Sequence, residues 1–364
     1  MHPKVILDPH FRTMEPLFPP ETLSRMRGFA QIVWARDDPI PDEELVRHAP
    51  DAEAVIVGHW RYGDVRRFPR LRAILEVGGS FPRPLTRTDS GATAAGAESC
   101  GGGGALSARG SAPASELDYE HCFRSGIRVL SCAPGFAPAV AEMALGMAIA
   151  AGRGLVSGDA AFRRGEEVWG HRGRVQDFLL FDKPVGFIGF GSIARCLKGL
   201  LAPFRCRVFA YDPWLTDAWL RLQGVEPVPL ERLVAESKIT FVLAVPSAAN
   251  RALLDRSLLE RIPRGSVLVL ISRSHLVDFD ALTELVLAGR LQAAIDVFPE
   301  EPLPSDHPIR RAPGAILSAH RAGGGPETYQ LIGRMVANDL EAVLTGRVPQ
   351  EMQQAQPEYI LARG

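Results

Sequence analysis

Three polar side chains in the second half of the chain, Arg273, Glu301 and His320, each come shortly after an apolar run of strand length. Ligands of open α/β sheets bind outside the carboxyl ends of the strands, so we expect these side chains to lie near one another at that edge. A guanidinium offers a carboxylate a planar fork of donors, and an imidazole exchanges a proton near neutral pH. A surface salt bridge is the alternative for each residue alone, but together they indicate anion binding beside a proton-transfer group.

Residues 185–212, VGFIGFGSIARCLKGLLAPFRCRVFAYD, follow the order strand, glycine turn, helix, strand, acid. In that order a G-x-G-x-x-A match is typical of a dinucleotide-binding unit. Gly189 permits the tight turn, and Gly191 lets the backbone approach a pyrophosphate. We expect the phosphates to bind the N–H groups at the start of the helix, at Ser192 and Ile193.

Asp212 ends the second strand of this unit, close to the position of the acid that hydrogen-bonds the adenosine ribose. The predicted cofactor is therefore NAD, because this carboxylate would repel the extra phosphate of NADP. Pro246 ends the next predicted strand, at 239–245, and is assigned to the cofactor because it lies at the same edge of the sheet. An incidental strand, turn and helix is the alternative interpretation of the whole unit.

These residues need a sheet to position them, and short apolar runs do alternate with helical patterns along most of the chain. Such alternation predicts an α/β fold of parallel strands joined by helical crossovers. The second half, with six predicted strands, fits a Rossmann-type doubly wound parallel sheet domain. The first half has no glycine fingerprint, so we predict a smaller flavodoxin-like α/β substrate domain there. Its predicted strands lie at 4–7, 31–35, 54–58, 72–77 and 126–131.

The length of 364 residues exceeds what one core usually supports, so two domains are expected. We predict a substrate domain at 1–132, an NAD-binding domain at 133–321, and a C-terminal helix and tail at 322–364 that return to the substrate domain. Residues 83–115 are rich in Gly, Ala and Ser without apolar periodicity, which indicates a flexible insertion. A lid, a lineage-specific loop and a reading-frame slip all stay open for it.

Composition limits the partners and the location of the protein. With 41 Lys and Arg against 42 Asp and Glu, the net charge of −1 gives no general electrostatic reason to bind nucleic acid or an anionic membrane. No signal peptide or membrane-length run is evident, so we expect a cytoplasmic protein. The five cysteines contain no C-x-x-C pair and argue against structural zinc. The helix predicted at 137–153 is apolar around most of its circumference, which favours a homodimer through it.

In its motifs the chain resembles the D-isomer-specific 2-hydroxyacid dehydrogenases, the family of glyoxylate and hydroxypyruvate reductases and D-3-phosphoglycerate dehydrogenase. The matching elements are GFGSIA with Asp212, VLISRSHLVD, AIDVFPEEPLP and SAHRAGG, which with PGFAPAVAEMAL cover most of 128–324. The first part matches only in its α/β pattern and its VGG turn. The resemblance implies an NAD-dependent enzyme that interconverts a small 2-oxo acid and its D-2-hydroxy acid.

The resemblance also implies a role for each candidate residue. His320 matches the acid/base, Glu301 the carboxylate that orients it, and Arg273 the anchor of the substrate carboxylate and carbonyl oxygen. Asp296 matches the residue that contacts the nicotinamide carboxamide, with a strand-end cap as the alternative.

The first half supplies the predicted substrate site. Val77, Gly78 and Gly79 match the turn whose backbone N–H groups bind the substrate carboxylate, and an ordinary tight turn is the alternative. His59 and Trp60 follow a strand of the same domain. They either line the substrate pocket or pack against each other as a pair.

Some positions depart from the family pattern. Leu270 and Ser274 stand where Asn and Gly are usual around the arginine, and Ala319 stands where Pro usually precedes the histidine. Arg321, which follows the histidine, either binds an acidic substrate, or depresses the pKa of the histidine, or points to the surface.

Two other functions stay open. One is formate or phosphite oxidation, although formate enzymes generally carry Gln where Glu301 stands. The other is an NAD-sensing scaffold or corepressor on the same fold with little or no turnover.

Overall fold

The computed structural model describes residues 2–85, 115–170 and 177–361. It divides the chain into two compact units, which we call the terminal unit, Met1–Phe136 with Gly324–Gly364, and the central unit, Ala137–Gly323. The boundaries predicted after residues 132 and 321 fall a few residues before these divisions. Apart from its two ends, the predicted insertion at 83–115 lies outside the described residues.

The strands of the described residues are numbered in chain order. They are β1 (Lys4–Asp8), β2 (Gln31–Trp34), β3 (Ala52–Val57), β4 (Ala73–Glu76), β5 (Arg128–Ser131), β6 (Pro184–Ile188), β7 (Arg207–Tyr211), β8 (Glu226–Pro227), β9 (Ile239–Val242), β10 (Val267–Leu270), β11 (Gln292–Ile295), β12 (Ala315–Leu317) and β13 (Gln353–Gln354).

The α-helices of the same residues are numbered likewise. They are α1 (Met14–Leu17), α2 (Pro20–Phe29), α3 (Asp42–His48), α4 (Tyr119–Arg124), α5 (Ala137–Gly152), α6 (Leu155–Arg164), α7 (Ser192–Leu201), α8 (Asp217–Leu222), α9 (Leu230–Glu236), α10 (Arg256–Arg261), α11 (Phe279–Leu287), α12 (Pro326–Leu344) and α13 (Pro357–Leu361).

The terminal unit has a sheet in the order β13-β5-β4-β3-β1-β2, in which β13 alone is antiparallel to its neighbour. Its inner strands are buried on both faces, as expected for parallel strands covered by helices. Helix α12 comes from the far end of the chain and covers one face through Ile332, Val336 and Leu340. The terminal unit is therefore built from both ends of the chain.

The central unit has a fully parallel sheet in the order β12-β11-β10-β9-β6-β7-β8. This order reverses direction beside β6 and confirms the predicted doubly wound α/β fold. One more strand is present than the six predicted, because β8 is two residues long and contains a proline. Such a strand leaves no alternating pattern in the sequence.

Helix α5 packs on α7 and on the sheet of the central unit. By length and composition Ala133–Gly152 is apolar enough to cross a membrane, but half of that window is buried in the protein. Burial of this kind is typical of a core helix.

The two ends of the predicted insertion lie side by side. Pro84 and Leu117 form an isolated parallel bridge, with hydrogen bonds from Leu85 N to Leu117 O at 3.0 Å and from Leu117 N to Arg83 O at 2.7 Å. Leu117 is fully buried. Residues 83–85 and 117 are therefore adjacent in the terminal unit.

Candidate active site

The glycine turn of the central unit connects β6 to α7. Gly189 has φ +89°, and a Cβ there would lie 2.5 Å from the Cα of Ala244, so only glycine fits. A Cβ on Gly191, the N-cap of α7, would meet nothing within 4 Å, and no side chain caps the helix. The helix start thus presents backbone N–H groups, including those of Ser192 and Ile193, beside open space. This arrangement fits the pyrophosphate of a dinucleotide.

Asp212 follows β7 and lies against this turn. Its Oδ2 accepts a hydrogen bond from Phe190 N at 2.8 Å, and its Oδ1 accepts one from Trp214 N at 3.0 Å. Each oxygen keeps a further lone pair, so the carboxylate can still accept a bond from a ribose hydroxyl. The ribose contact of Asp212 stays a prediction, as does the cofactor contact of Pro246, which lies in the loop after β9.

His320 and Glu301 form the predicted pair. His320 Nδ1 lies 2.6 Å from Glu301 Oε2, and each side chain is 22% exposed. The other carboxylate oxygen, Oε1, accepts a hydrogen bond from Phe298 N at 3.0 Å, which fixes the carboxylate. With Nδ1 donating to the carboxylate, Nε2 is the ring nitrogen that can exchange a proton with a ligand.

Asp296 holds the backbone that carries this histidine. It is fully buried after β11, and its Oδ1 and Oδ2 accept hydrogen bonds from Arg321 N at 2.9 Å and Ala322 N at 3.0 Å. Its carbonyl oxygen accepts a third bond from His320 N at 2.8 Å. His320 has φ +50°, a conformation that costs a non-glycine residue about 1–2 kcal/mol. The three bonds offset that cost, so Asp296 positions His320, and its nicotinamide contact stays a prediction.

Arg273 follows β10 in extended backbone. Its Nη1 donates to Ser272 O at 2.7 Å, and within the described ranges the side chain forms no ion pair. Burial lowers the pKa of Arg273, and the nearby Glu301 carboxylate opposes that effect. A partly desolvated guanidinium with a neutral acceptor favours the approach of an anion. The side chain of Arg321, in contrast, is exposed, as one of its three interpretations expected.

The terminal unit contradicts one expectation from the sequence. The N–H groups of Gly78 and Gly79 are not free for a substrate carboxylate, because they donate to Glu76 Oε1 at 2.6 Å and Oε2 at 2.9 Å. Ser80 N donates to the same Oε2 at 3.0 Å, and Val77 N donates to Val57 O within the sheet. The predicted anion site at Val77, Gly78 and Gly79 is therefore already filled by a side chain of the protein.

Glu76 ends β4 and is 1% exposed. Burial raises the pKa of Glu76 to about 8, and the three N–H groups and Arg12 act in the opposite direction. The Ser131 hydroxyl lies 3.4 Å from Oε2. The carboxyl group is thus an internal ligand of the turn.

Arg12 lies beside the same turn, in the loop after β1. Its Nη1 donates to the Tyr329 hydroxyl at 3.0 Å, and its Nη2 donates to Gly78 O at 3.3 Å. The guanidinium carbon lies 4.8 Å from the ring centroid of Phe11, 5.6 Å from that of Phe136 and 5.2 Å from that of Tyr329. Arg12 is thus a cation framed by aromatic rings.

His59 and Trp60 do not form a packed pair, which was one of the two expectations. Trp60 is buried with Tyr62 and Phe68, and its Nε1 donates to Gly63 O at 3.0 Å. His59 stacks on Phe11 with 4.2 Å between ring centroids. Partial burial, followed by the charge of Arg12, lowers the pKa of His59. A substrate contact for His59 stays a prediction.

Glu76 and Arg12 were missed from the sequence. Arg12 comes shortly after a strand, β1, as Arg273, Glu301 and His320 come after theirs. Glu76 is the last residue of β4 and lies inside the strand predicted at 72–77, where that signal is absent.

Comparison with known proteins supports the assignment of the central unit. Residues 145–322 match the sequence model of the D-isomer specific 2-hydroxyacid dehydrogenase NAD binding domain. Across the whole chain, the crystal structure of a phosphoglycerate oxidoreductase from Rhizobium etli is 32% identical with a TM-score of 0.80, and the match covers 98% of this chain and 99% of that one.

Two curated relatives are more distant. A glyoxylate reductase from Korarchaeum cryptofilum is 28% identical over 235 residues, which are 64% of this chain and 71% of the relative. A D-3-phosphoglycerate dehydrogenase from Methanocaldococcus jannaschii is 28% identical over 238 residues, 65% of this chain but only 45% of that protein. The chain thus matches about half the length of such phosphoglycerate dehydrogenases.

Proposed function

The chain belongs to the D-isomer-specific 2-hydroxyacid dehydrogenase family and is an NAD-dependent oxidoreductase; from this premise we propose that it interconverts a small 2-oxo acid and its D-2-hydroxy acid. The observation that carries the proposal is the 2.6 Å contact between His320 Nδ1 and Glu301 Oε2. A scaffold with no turnover has no need of a carboxylate that fixes one ring nitrogen of a half-buried histidine and leaves the other for proton exchange.

In this proposal each residue of the central unit has one task. Bound NADH would supply the hydride that reduces the carbonyl carbon. His320 Nε2 donates a proton to the oxygen on which negative charge develops, and takes it back in the reverse direction. Glu301 keeps the ring oriented, and Arg273 binds the 2-oxo carboxylate. Asp296 holds the turn that carries His320 in place.

The test is a panel of 2-oxo acids with NADH, beginning with glyoxylate, together with D-3-phosphoglycerate and NAD. We expect a change in nicotinamide absorbance with at least one substrate, and a preference for NADH over NADPH. Tight NADH binding without turnover of any substrate would overturn the enzyme proposal and favour the scaffold alternative.

We also propose that the protein is a homodimer in the cytoplasm. The sequence pointed to the helix after Ala137, but much of α5 is buried in its own unit. The exposed apolar surface continues on α6, where no residue is buried and Phe162 is 60% exposed, and at Trp169, which is 77% exposed. The four cysteines in the described part of the chain are free, which fits a reducing compartment.

The dimer is tested by sedimentation of the wild type and of Phe162→Asp. We expect the wild type at twice the monomer mass and the variant shifted to monomer. Leu222→Asp, at an exposed position on α8, is the control and should stay dimeric.

A further inference from the structure

The loop after β9, residues 243–254, borders the crevice of the central unit, and we call it the β9 loop. Strands β6 and β9 are neighbours in the sheet, and the strand order reverses between them. A dinucleotide binds in the crevice at such a switch point. At the start of the loop, the Cα of Ala244 would lie 2.5 Å from a Cβ placed on Gly189. The β9 loop therefore lies against the glycine turn that is expected to hold the pyrophosphate.

The far end of the β9 loop is bound to the segment that follows Arg273. Ala252 N donates a hydrogen bond to His275 O at 2.8 Å, and Leu254 N donates one to Leu276 O at 2.9 Å. These two bonds fasten the end of the loop to the backbone just after the arginine that is assigned to the substrate carboxylate. The loop thus touches the cofactor side of the crevice at one end and the substrate side at the other.

The middle of the β9 loop is held by the side chain of His275. Its Nε2 lies 2.9 Å from Ser247 O, and Nε2 is the donor because a carbonyl oxygen can only accept. Ser247 N donates to Asn250 Oδ1 at 2.7 Å, and Asn250 Nδ2 donates to Val245 O at 2.8 Å. The bonds of Asn250 shape the loop internally. The bond of His275, in contrast, ties the same part of the loop to a segment 28 positions later in the chain.

We propose that His275 is a positioning residue: it holds the β9 loop in the conformation that binds NADH, and it joins this loop to the turn that carries Arg273. Without the bond from Nε2, the loop would have to be ordered when NADH binds, which weakens the affinity. Hydride transfer needs the cofactor and the substrate at a fixed separation, so a connection between their two binding segments serves it. This second part of the inference rests on the function proposed above.

Two amide substitutions separate the hydrogen bond from the bulk of the ring. The amide nitrogen of His275→Gln reaches about as far as Nε2 and can donate to Ser247 O, whereas that of His275→Asn is one bond too short. NADH fluorescence titration should give a Kd about fivefold to tenfold higher for His275→Asn, as for loss of one hydrogen bond, and within about twofold of the wild type for His275→Gln. Glu260→Ala, at an exposed position on α10, should match the wild type.

Amide hydrogen exchange of the protein without NADH measures the loop directly. Residues 243–254 should exchange faster in His275→Asn than in the wild type or in His275→Gln, because local opening becomes easier. Unchanged exchange and Kd in folded His275→Asn would overturn the inference. Equal weakening of NADH binding by both amides would show that the ring acts through packing, and would overturn it as well. His275→Ser, which is also too short, repeats the test if His275→Asn does not fold.

Steady-state kinetics tests the connection to Arg273, with a 2-oxo acid that the wild type reduces. His275→Asn should raise KM for NADH in line with Kd and KM for the 2-oxo acid by about twofold or more, with kcat changed less than about threefold because His320 and Glu301 are intact. A change in KM for NADH alone would overturn the connection to Arg273. If the wild type reduces no 2-oxo acid, the proposed function fails, while titration and exchange still decide the role of His275 in NADH binding.

Discussion

Glu76 in the terminal unit and Asp296 in the central unit are both buried acids at the carboxyl ends of parallel strands, and both accept hydrogen bonds from backbone N–H groups. Glu76 accepts them from residues two, three and four positions later in the chain. Asp296 accepts them from residues 25 and 26 positions later. The same interaction thus connects very different lengths of chain.

Because these sequence distances differ, the two acids have different effects on the turns that they bind. Glu76 closes its own turn and removes N–H groups from contact with ligands. Asp296 joins the end of β11 to the turn after β12, which places His320 beside Glu301. A strand-end acid that bonds locally fills a site, whereas one that bonds far along the chain builds a site from separate segments.

The largest effect is expected at His320, the side chain that the hydrogen bonds of Asp296 place beside Glu301. His320→Ala should lower kcat by about two to four orders of magnitude, as for loss of a general acid, with NADH binding nearly unchanged. Steady-state kinetics and NADH fluorescence titration measure the two quantities, with His2→Ala at an exposed position as the control. Wild-type turnover in His320→Ala would show that His320 is not the general acid.

Glu76, whose hydrogen bonds are local in the sequence, should affect the stability of the protein rather than its turnover. The pKa of Glu76 near 8 exceeds the ordinary value of 4.5, so the folded protein binds this proton more tightly than the unfolded chain does. Its contribution to stability is therefore complete below about pH 4.5 and is lost as the pH rises through about 8. Between about pH 6 and about pH 9 the wild type should lose about 2–3 kcal/mol relative to Glu76→Gln, which cannot titrate.

Urea unfolding of both proteins across this pH range measures the difference. The groups that face Glu76 are Arg12, Ser131 and Cys132, and burial raises the pKa of the Cys132 thiol well above its ordinary value, so Cys132 does not titrate in this range. Parallel stability curves for the two proteins would contradict the assignment of Glu76 as the titrating group.

A smaller effect on kcat is expected from weakening the hydrogen bonds between Asp296 and the turn that carries His320. Asp296→Asn places an amide NH₂ where a carboxylate oxygen accepts a backbone N–H, so the His320 turn should loosen and kcat should fall about tenfold to a hundredfold. Circular dichroism checks the fold, and Asp306→Asn at an exposed position is the control. A rise in KM for NADH at constant kcat would instead favour the nicotinamide contact implied by the family resemblance.

Asp212 is the intermediate case, since it bonds both to Trp214, two positions later, and to Phe190, 22 positions earlier. Asp212→Ala should reduce the preference for NADH over NADPH by about tenfold, because a charged hydrogen bond to the ribose is lost together with repulsion of the NADP phosphate. The ratio of the two KM values measures it, with Asp217→Ala as the exposed control. An unchanged ratio would remove Asp212 from the ribose site.

Much of the fold could be predicted because parallel strands buried on both faces leave continuous apolar runs. The runs at β4, β6 and β12 were located to within two residues. Arg273, Glu301 and His320 could be predicted for a related reason, since a polar residue just after such a run lies at the ligand-binding edge.

The chemistry of the turn after β4 could not be predicted in the same way. The sequence VGG predicts a turn with exposed N–H groups. Whether those groups are free for a ligand depends on the direction of the Glu76 side chain, two residues before Gly78. Strand periodicity gives the face of the sheet and not the bonding of a residue at the end of a strand. The same limit applies to His59 and Trp60, neighbours in the chain that turn into different surroundings.

The bridge between Pro84 and Leu117 has a consequence for how the length of this protein can vary. Because Pro84 and Leu117 lie side by side, they can be joined by connections of different length, and the entropy cost of closing a flexible connection grows only by about 0.6 kcal/mol per doubling of its length. Selection on stability therefore acts weakly on the number of residues between these points. The position is a natural place for a gene to gain or lose sequence, and equally for an engineer to open new chain ends or insert a reporter domain.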